Sequence, residues 1–308
     1  MRRRVAAVDC GTNSIRLLIA DIDPERKVLT DIARDMRIVR LGEGVDRTGR
    51  LSAAALDRTM GALRDYAKLI GQASPQAVRM VATSATRDAE NSQEFVDRVK
   101  EVLGVAPEVV TGDEEAALSF TGATRELTDT PSPYLVTDIG GGSTEFVLGG
   151  PEGVSGGRSV DIGCVRMTER HLHGDPPPQA EIAAATRDID SALDLVAAAI
   201  PAETARTLVG LAGSVTTVAG IALGLRAYDA SRIHHSRIPA GQVHEIATEL
   251  LGQTRAQRAV IGVMHPGRVD VIGAGALVLD RIMTRFGFAE VLVSEHDILD
   301  GIAWSLVR

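Results

Sequence analysis

Residues 136–148, VTDIGGGSTEFVL, decide the fold, because residues 7–19, AVDCGTNSIRLLI, repeat their pattern at a constant offset of 129 residues (138 minus 9). Each copy has an apolar run that ends in an aspartate (Asp9 and Asp138), then a Gly/Ser/Thr turn and a second apolar run. This order predicts a β-hairpin with a polar tip. A repeat with so long a period is not a solenoid. It predicts two similar domains that each open with the same hairpin.

The residues after each hairpin alternate between strand-like and helix-like patterns. In the first half we predict strands at 28–39, 77–82 and 108–110, and helices from Ser52 and at 94–103 and 114–125. In the second half we predict helices near 165–171 and 180–199, a strand at 207–211 and several further helices, with residues 175–178 starting a helix. This alternation indicates an α/β fold. A turn-rich stretch at 128–133 sets the domain boundary, giving domains 1–127 and 128–308.

Composition narrows the class of protein. The length of 308 residues allows two modest domains, and 44% hydrophobic residues are typical of a globular chain. The two cysteines have no metal-type spacing, and no apolar run approaches a membrane span. We therefore expect a cytoplasmic protein without a membrane partner. The net charge of −8 argues against a nucleic-acid polymer as partner. An anionic ligand would need backbone amides, a few arginines and a metal ion.

The loop after Asp138 carries the clearest chemical signal. Three successive glycines, Gly140, Gly141 and Gly142, let several backbone N–H groups approach one phosphate, and Ser143 and Thr144 add hydroxyls. Asp138 itself suits the ligand shell of Mg²⁺. The alternative is a plain hairpin turn, which rarely needs three glycines between an acid and two hydroxyls.

The equivalent first loop offers Gly11, Thr12, Asn13 and Ser14 to phosphate, with Asp9 in the place of Asp138. Arg16 and Glu145 occupy equivalent positions with opposite charge. We expect Arg16 to face anionic oxygens and Glu145 to face water or metal. A solvated strand residue is the alternative for each.

Two further motifs follow predicted strands of the first half. Ser84 and Arg87 lie where open α/β sheets place ligand contacts, although a helix cap with a surface arginine explains them too. Thr111-x-x-Glu114 matches a capping box, which leaves Glu115 available. We therefore prefer Glu115 as the general base that activates water, with Glu114 as the alternative.

In the second half, Gly213 and Ser214 lie between a predicted strand and a predicted helix. This arrangement suits a nucleotide or another phosphate, but tight strand–helix packing explains it as well. The histidines at 234, 235, 265 and 296 lack metal-ligand spacing, so we expect them at the surface or satisfied by neighbours.

Several motifs together resemble the exopolyphosphatase/guanosine pentaphosphatase family of the actin, sugar-kinase and heat-shock ATPase superfamily. The resemblance covers nearly the whole chain and rests on Asp9-x-Gly-Thr-Asn-Ser, Ala82-Thr-Ser-Ala-Thr-Arg87, Gly112-Asp-Glu-Glu-Ala116, Asp138-Ile-Gly-Gly-Gly-Ser-Thr-Glu145 and Gly213-Ser-x-Thr-Thr217. It implies two ribonuclease H-like (actin-like ATPase) domains with an interdomain active-site cleft. It also implies that the final helix, within 296–308, returns to the first domain.

The resemblance further implies Mg²⁺, or Mn²⁺, at Asp138 and Glu145, a catalytic Glu115, and a phosphate-binding Arg87. Asp9 is a further candidate metal ligand, and Glu145 is also a candidate catalytic residue. The implied substrates are inorganic polyphosphate and guanosine pentaphosphate. The chain resembles the short two-domain class, which favours short polyphosphate; a homodimer is also expected. A guanosine pentaphosphate hydrolase is the nearest alternative. A nucleotide-binding module that does not hydrolyse, or a sugar kinase, fits the Glu114–Glu115 pair and the chain length less well.

Overall fold

The computed structural model describes residues 2–307, which divide into two compact α/β units. The first unit comprises the chain up to Gly122 and again from Ile298 onward, and the second unit is Ala123–Asp297. No helix within the described residues is long and apolar enough to cross a membrane.

The first unit is built on a five-stranded sheet in the order β3-β2-β1-β4-β5. Its strands are β1 (Arg3–Cys10), β2 (Ser14–Asp23), β3 (Val28–Ile38), β4 (Ala77–Ala82) and β5 (Glu108–Val109). The first three are antiparallel, whereas β4 and β5 run parallel to β1. The helices between them are α1 (Val45–Thr48), α2 (Ala53–Ala73), α3 (Ser84–Arg87), α4 (Ser92–Leu103) and α5 (Gly112–Thr124). Ser52 caps α2 as predicted, because its side chain accepts the Ala55 N–H.

The second unit contains a six-stranded sheet in the order β10-β11-β9-β6-β7-β8. Its strands are β6 (Tyr134–Ile139), β7 (Thr144–Gly150), β8 (Gly153–Val160), β9 (Thr207–Leu211), β10 (Arg237–Pro239) and β11 (Glu290–Val293). Its helices are α6 (Cys164–His171), α7 (Gln179–Ala199), α8 (Ala212–Ala222), α9 (Ala230–Ile233), α10 (Ala240–Gly252), α11 (Arg255–Ala259) and α12 (Ile272–Phe286).

The repeat seen in the sequence is a repeat of topology. Strands β8-β7-β6-β9-β11 reproduce the order β3-β2-β1-β4-β5, with β10 added at the edge. The two hairpins also share their register, because Asp9 pairs with Arg16 and Asp138 pairs with Glu145. The predicted α/β fold with two similar ribonuclease H-like domains is therefore confirmed.

Strand β8 is missing from the sequence-based prediction, which passes from the second hairpin directly to a helix. This edge strand contains Gly153, Gly156 and Gly157, and most of its side chains are exposed or half-buried. It therefore lacks the alternation of apolar and polar residues by which a strand is recognised. The predicted helix start at 175–178 is confirmed, since Pro178 is the N-cap of α7.

The last helix, α13 (Ile298–Ser305), completes the core of the first unit. Ile298, Leu299 and Ile302 pack with apolar residues of β1 and β2 on one face of the sheet. Asp300 accepts a bond from Arg34 Nη2 of β3 at 2.6 Å, and this carboxylate is nearly inaccessible to solvent. At Gly301 the helix approaches α5 so closely that an added Cβ would overlap the Leu118 carbonyl.

Candidate active site

In the first unit, the carboxyl ends of β1 and β4 bring two predicted motifs together. These strands are parallel neighbours, and the Thr83 N–H donates to the Cys10 carbonyl at 3.2 Å. The hydroxyls of Thr12 and Ser84 are 2.9 Å apart and buried. The first glycine loop and the Ser84–Arg87 turn therefore form one continuous surface, at the sheet edge where α/β folds bind ligands.

The carbonyls of the first loop accept hydrogen bonds from the segment that follows β3. Backbone N–H groups of residues 39–40 donate to the Asn13 carbonyl at 3.0 and 2.9 Å, and Gly42 N–H donates to the Thr12 carbonyl at 2.9 Å. In a trans peptide the C=O and N–H point in opposite directions, so the N–H groups of Asn13 and Ser14 face away from this support. Gly42, which sequence reasoning missed, is required here, because an added Cβ would overlap the Thr12 side chain.

Asp9 and Arg16, opposite each other in the first hairpin, form an ion pair. Asp9 Oδ2 accepts from Arg16 Nε at 2.9 Å and from Nη2 at 2.6 Å, and the carboxylate is buried. Such a charge-assisted contact favours the ionised form of the acid. Arg16 therefore balances the charge of Asp9, the predicted metal ligand of this loop.

The two glutamates at the start of α5 have different contacts. Glu114 Oε2 accepts from the Thr111 N–H at 3.0 Å and Thr111 Oγ1 accepts from the Glu114 N–H at 3.2 Å, which is the predicted capping box. Glu115 is only 8% exposed, and its Oε2 accepts from Arg87 Nη1 at 3.0 Å. Arg87 also donates to the Val110 carbonyl at 3.0 Å. These bonds hold the Glu115 carboxylate beside Arg87, whereas the Glu114 carboxylate caps the amino end of α5.

In the second unit, the glycine loop rests on the amino end of α6. Its carbonyls accept four backbone N–H groups: Cys164 to Gly140 at 2.9 Å, Val165 and Arg166 to Gly141 at 2.8 and 3.1 Å, and Gly163 to Gly142 at 3.2 Å. The N–H groups of residues 141–143 therefore point away from α6, an arrangement that forms an anion-binding concavity. Gly163 is a second position that sequence reasoning missed: an added Cβ there would overlap the Gly141 carbonyl.

Asp138 and Glu145 place two buried carboxylates side by side. They are register partners in the second hairpin, with exposures of 7% and 1%. Ser159 Oγ donates to Glu145 Oε1 at 2.7 Å. Like charges directly opposite each other in a sheet are unfavourable, and carboxylate oxygens are the donors that Mg²⁺ and Mn²⁺ prefer. This donor set fits a divalent cation, in contrast to the Asp9–Arg16 pair at the equivalent place.

Two of the predicted phosphate ligands in the second unit have contacts that serve packing. Thr144 Oγ1 donates to the Ile162 carbonyl at 3.1 Å. Gly213, at the start of α8, lies directly under Arg268, whose guanidinium an added Cβ would overlap. The buried Ser214 lies nearby, after Ala212 in a left-handed conformation with φ 66°. The contact with Arg268 therefore leaves no room for a side chain at Gly213, and phosphate binding by Gly213 and Ser214 stays a prediction.

Three of the four histidines expected at the surface or satisfied by neighbours, namely His234, His235 and His296, form a cluster around Glu126. Glu126 Oε2 lies 3.3 Å from His234 Nε2 and 3.4 Å from His296 Nδ1, and the ring of His235 stacks on that of His234. His234 Nδ1 accepts the Glu295 N–H at 3.1 Å, so neutral His234 carries its proton on Nε2. One ligand atom from each of Glu126, His234 and His296 lies within 4.8 Å of the other two, and hydrogen bonds hold the cluster together in this structure.

This cluster predicts a loss of stability in mild acid. Burial lowers the pKa of His234, with further lowering by His235 and His296 against the opposing effect of Glu126. The unfolded chain, with a histidine pKa of about 6.5, then takes up the proton first. The free energy of unfolding is therefore highest above that pH and falls as the pH drops below it.

His234→Asn keeps an acceptor near the Nδ1 position but cannot titrate. We expect its Tm to fall less than that of the wild type between pH 7.5 and 5, measured by calorimetry. The exposed His173 provides the control, since His173→Asn should follow the wild-type curve. Equal slopes for the wild type and the His234 variant would show that this group does not cause the pH dependence.

Comparison with known proteins shows similarity along nearly the whole chain. A model of the Ppx/GppA phosphatase family matches residues 18–308. A protein named exopolyphosphatase 2 from Mycobacterium tuberculosis is 52% identical over 314 residues, with 98% of each chain covered. A crystal structure of an exopolyphosphatase-like protein has a TM-score of 0.94 at 42% identity over 98% of each chain. The Aquifex aeolicus PPX-GPPA enzyme has a TM-score of 0.82 at 32% identity, covering 99% of this chain and 100% of that one.

Proposed function

The chain belongs to the Ppx/GppA phosphatase family, and on that premise we propose that it is an exopolyphosphatase. It would hydrolyse the terminal phosphoanhydride bond of inorganic polyphosphate and release orthophosphate. The observation that carries this proposal is the second glycine loop, whose N–H groups at 141–143 face away from α6 beside the carboxylates of Asp138 and Glu145. Amides that bind phosphate next to acids that bind a cation are what phosphoryl transfer requires.

The proposed cofactor is Mg²⁺, with Mn²⁺ as the alternative. Asp138 and Glu145 would hold it, and Asp9, already paired with Arg16, would contribute less. The ion, when bound, neutralises negative charge on the phosphate oxygens. The amides of the second glycine loop would bind and orient phosphate beside the ion. In the first unit, the amides of the first glycine loop and the hydroxyl of Ser84 offer further phosphate donors.

Glu115 is the proposed general base. It takes a proton from the attacking water as the water oxygen bonds to the terminal phosphorus, and the bridging P–O bond breaks as the shortened chain leaves. Arg87 donates to Glu115 Oε2 and thereby orients the carboxylate. Because Glu114 is bound to Thr111 in the capping box, Glu115 is the better candidate of the two.

The preferred substrate is proposed to be short polyphosphate, with guanosine pentaphosphate as the second candidate, since both end in the same phosphoanhydride group. The test measures kcat/KM for orthophosphate release from polyphosphates of defined length, with guanosine pentaphosphate as competitor. A higher kcat/KM for short polyphosphate supports the proposal, and a higher value for the nucleotide replaces it with the second candidate. No release from either with Mg²⁺ or Mn²⁺ would favour a module that binds without hydrolysis. The homodimer and the cytoplasmic location stay predictions.

A further inference from the structure

Arg166, on the first turn of α6, contacts the second glycine loop with both its backbone and its side chain. Its N–H donates to the Gly141 carbonyl at 3.1 Å, and its guanidinium Nε donates to the Gly142 carbonyl at 2.7 Å. The side chain is only 13% exposed, and Asp161 lies 3.8 Å from its Nη2. A largely buried positive charge is thus fixed against one particular peptide group of the loop.

The peptide group that accepts from Arg166 consists of the Gly142 carbonyl and the Ser143 N–H. A hydrogen bond from an ionised donor to a carbonyl is roughly twice as strong as a neutral one. Hydrogen bonds on the two sides of a peptide group also polarise one another. Arg166 therefore makes the Ser143 N–H a stronger donor and fixes its direction away from α6.

The equivalent carbonyl of the first loop accepts backbone donors. Asn13 occupies the place of Gly142, and its carbonyl accepts the backbone N–H groups of residues 39–40. The two loops therefore share their backbone geometry. Backbone N–H groups support the carbonyl of Asn13, whereas a guanidinium is among the donors to the carbonyl of Gly142. The guanidinium contact distinguishes the loop that lies beside Asp138 and Glu145.

We propose that Arg166 is a positioning residue for phosphoryl transfer, acting through the Gly142 carbonyl to direct and strengthen the Ser143 N–H as a donor to the phosphate under attack. This inference rests on the proposed function. Preorganised backbone donors act mainly where negative charge has to be stabilised in the transition state. Removing the guanidinium should therefore lower kcat more than it raises KM.

The loop should survive that removal, since four backbone bonds from the N–H groups of residues 163–166 still hold its carbonyls. Arg166→Met is expected to lower kcat about ten- to hundred-fold, the range for a bond to a charged group, with KM changed less than about three-fold. Arg166→Lys, which keeps the charge without the planar fork, should restore part of the loss. The control is Arg170→Met: Arg170 lies one turn further along α6, bonds to the Asp188 side chain and should leave kcat unchanged.

A second measurement is independent of turnover. In ¹⁵N-serine-labelled protein, addition of inorganic orthophosphate should shift the Ser143 amide proton downfield in the wild type and in Arg170→Met, and much less in Arg166→Met. If the wild type released no phosphate from polyphosphate, the proposed function would fail while this titration still tested the role of Arg166. Wild-type kcat and a wild-type amide shift in Arg166→Met would overturn the inference. If that variant unfolds, Arg166→Gln, which keeps a polar donor near the Gly142 carbonyl without the charge, takes its place: wild-type kcat with a full wild-type amide shift in it would overturn the inference.

Discussion

Replacing Glu115 by Gln is expected to lower kcat for orthophosphate release about 10²- to 10⁴-fold, the usual contribution of a general base. Gln keeps the size of the side chain and an oxygen that can still accept from Arg87 Nη1, so the fold around α5 should be retained. What the variant loses is the negative oxygen that would take a proton from water.

Glu114→Gln is the matched control, because it changes the same chemical group one residue away. Its expected effect is a small change in Tm, because Gln can still accept the Thr111 N–H in the capping box and only the charge of that bond is lost. Both variants are measured for kcat on short polyphosphate and for Tm. Loss of activity confined to Glu114→Gln, with folding intact, would assign the base to Glu114 and remove Glu115 from the mechanism.

The second large effect is expected at the carboxylate pair of the second hairpin. Asp138→Asn and Glu145→Gln should each weaken divalent-cation binding and lower kcat at a fixed Mg²⁺ concentration by about 10³-fold, since the ion supplies several kcal/mol of charge stabilisation. Raising Mg²⁺ should recover part of the activity of each variant. Both carboxylates are buried, so the loss of cation binding and of kcat should come from this site.

Mn²⁺ binding measured by electron paramagnetic resonance separates this cation effect from a loss of structure. Asp194→Asn is the control: Asp194 is an exposed acid of the same unit that pairs with Arg285, and its variant should bind Mn²⁺ like the wild type. Wild-type Mn²⁺ affinity in both hairpin variants would place the cation elsewhere.

The sequence predicted the backbone of the site well, because a hairpin leaves a local pattern. The offset between Asp9 and Asp138 aligned two loops that also share their turn bond, from Gly11 N–H to the Ser14 carbonyl and from Gly140 N–H to the Ser143 carbonyl. A capping box is also a local pattern, and it distinguished Glu114, which caps the helix, from Glu115, the predicted general base.

Contacts between distant segments left no such pattern. Gly42 and Gly163 lie well along the chain from the loops they support, and nothing in their immediate sequence indicates that a backbone passes close by. The Glu126–His234–His296 cluster is of the same kind, since it joins residues that are far apart in sequence. Arg166 was also missed, because a lone arginine near a helix start has many possible roles.

The position of α13 sets an order of events during synthesis. The second unit is one continuous segment, so it can fold as soon as Asp297 has been made. The first unit cannot, because the apolar residues of α13 that cover its sheet are translated after the whole second unit. The usual order of co-translational folding, with the amino-terminal domain first, is therefore reversed here. Until α13 has been made, the nascent first unit presents an uncovered apolar sheet face.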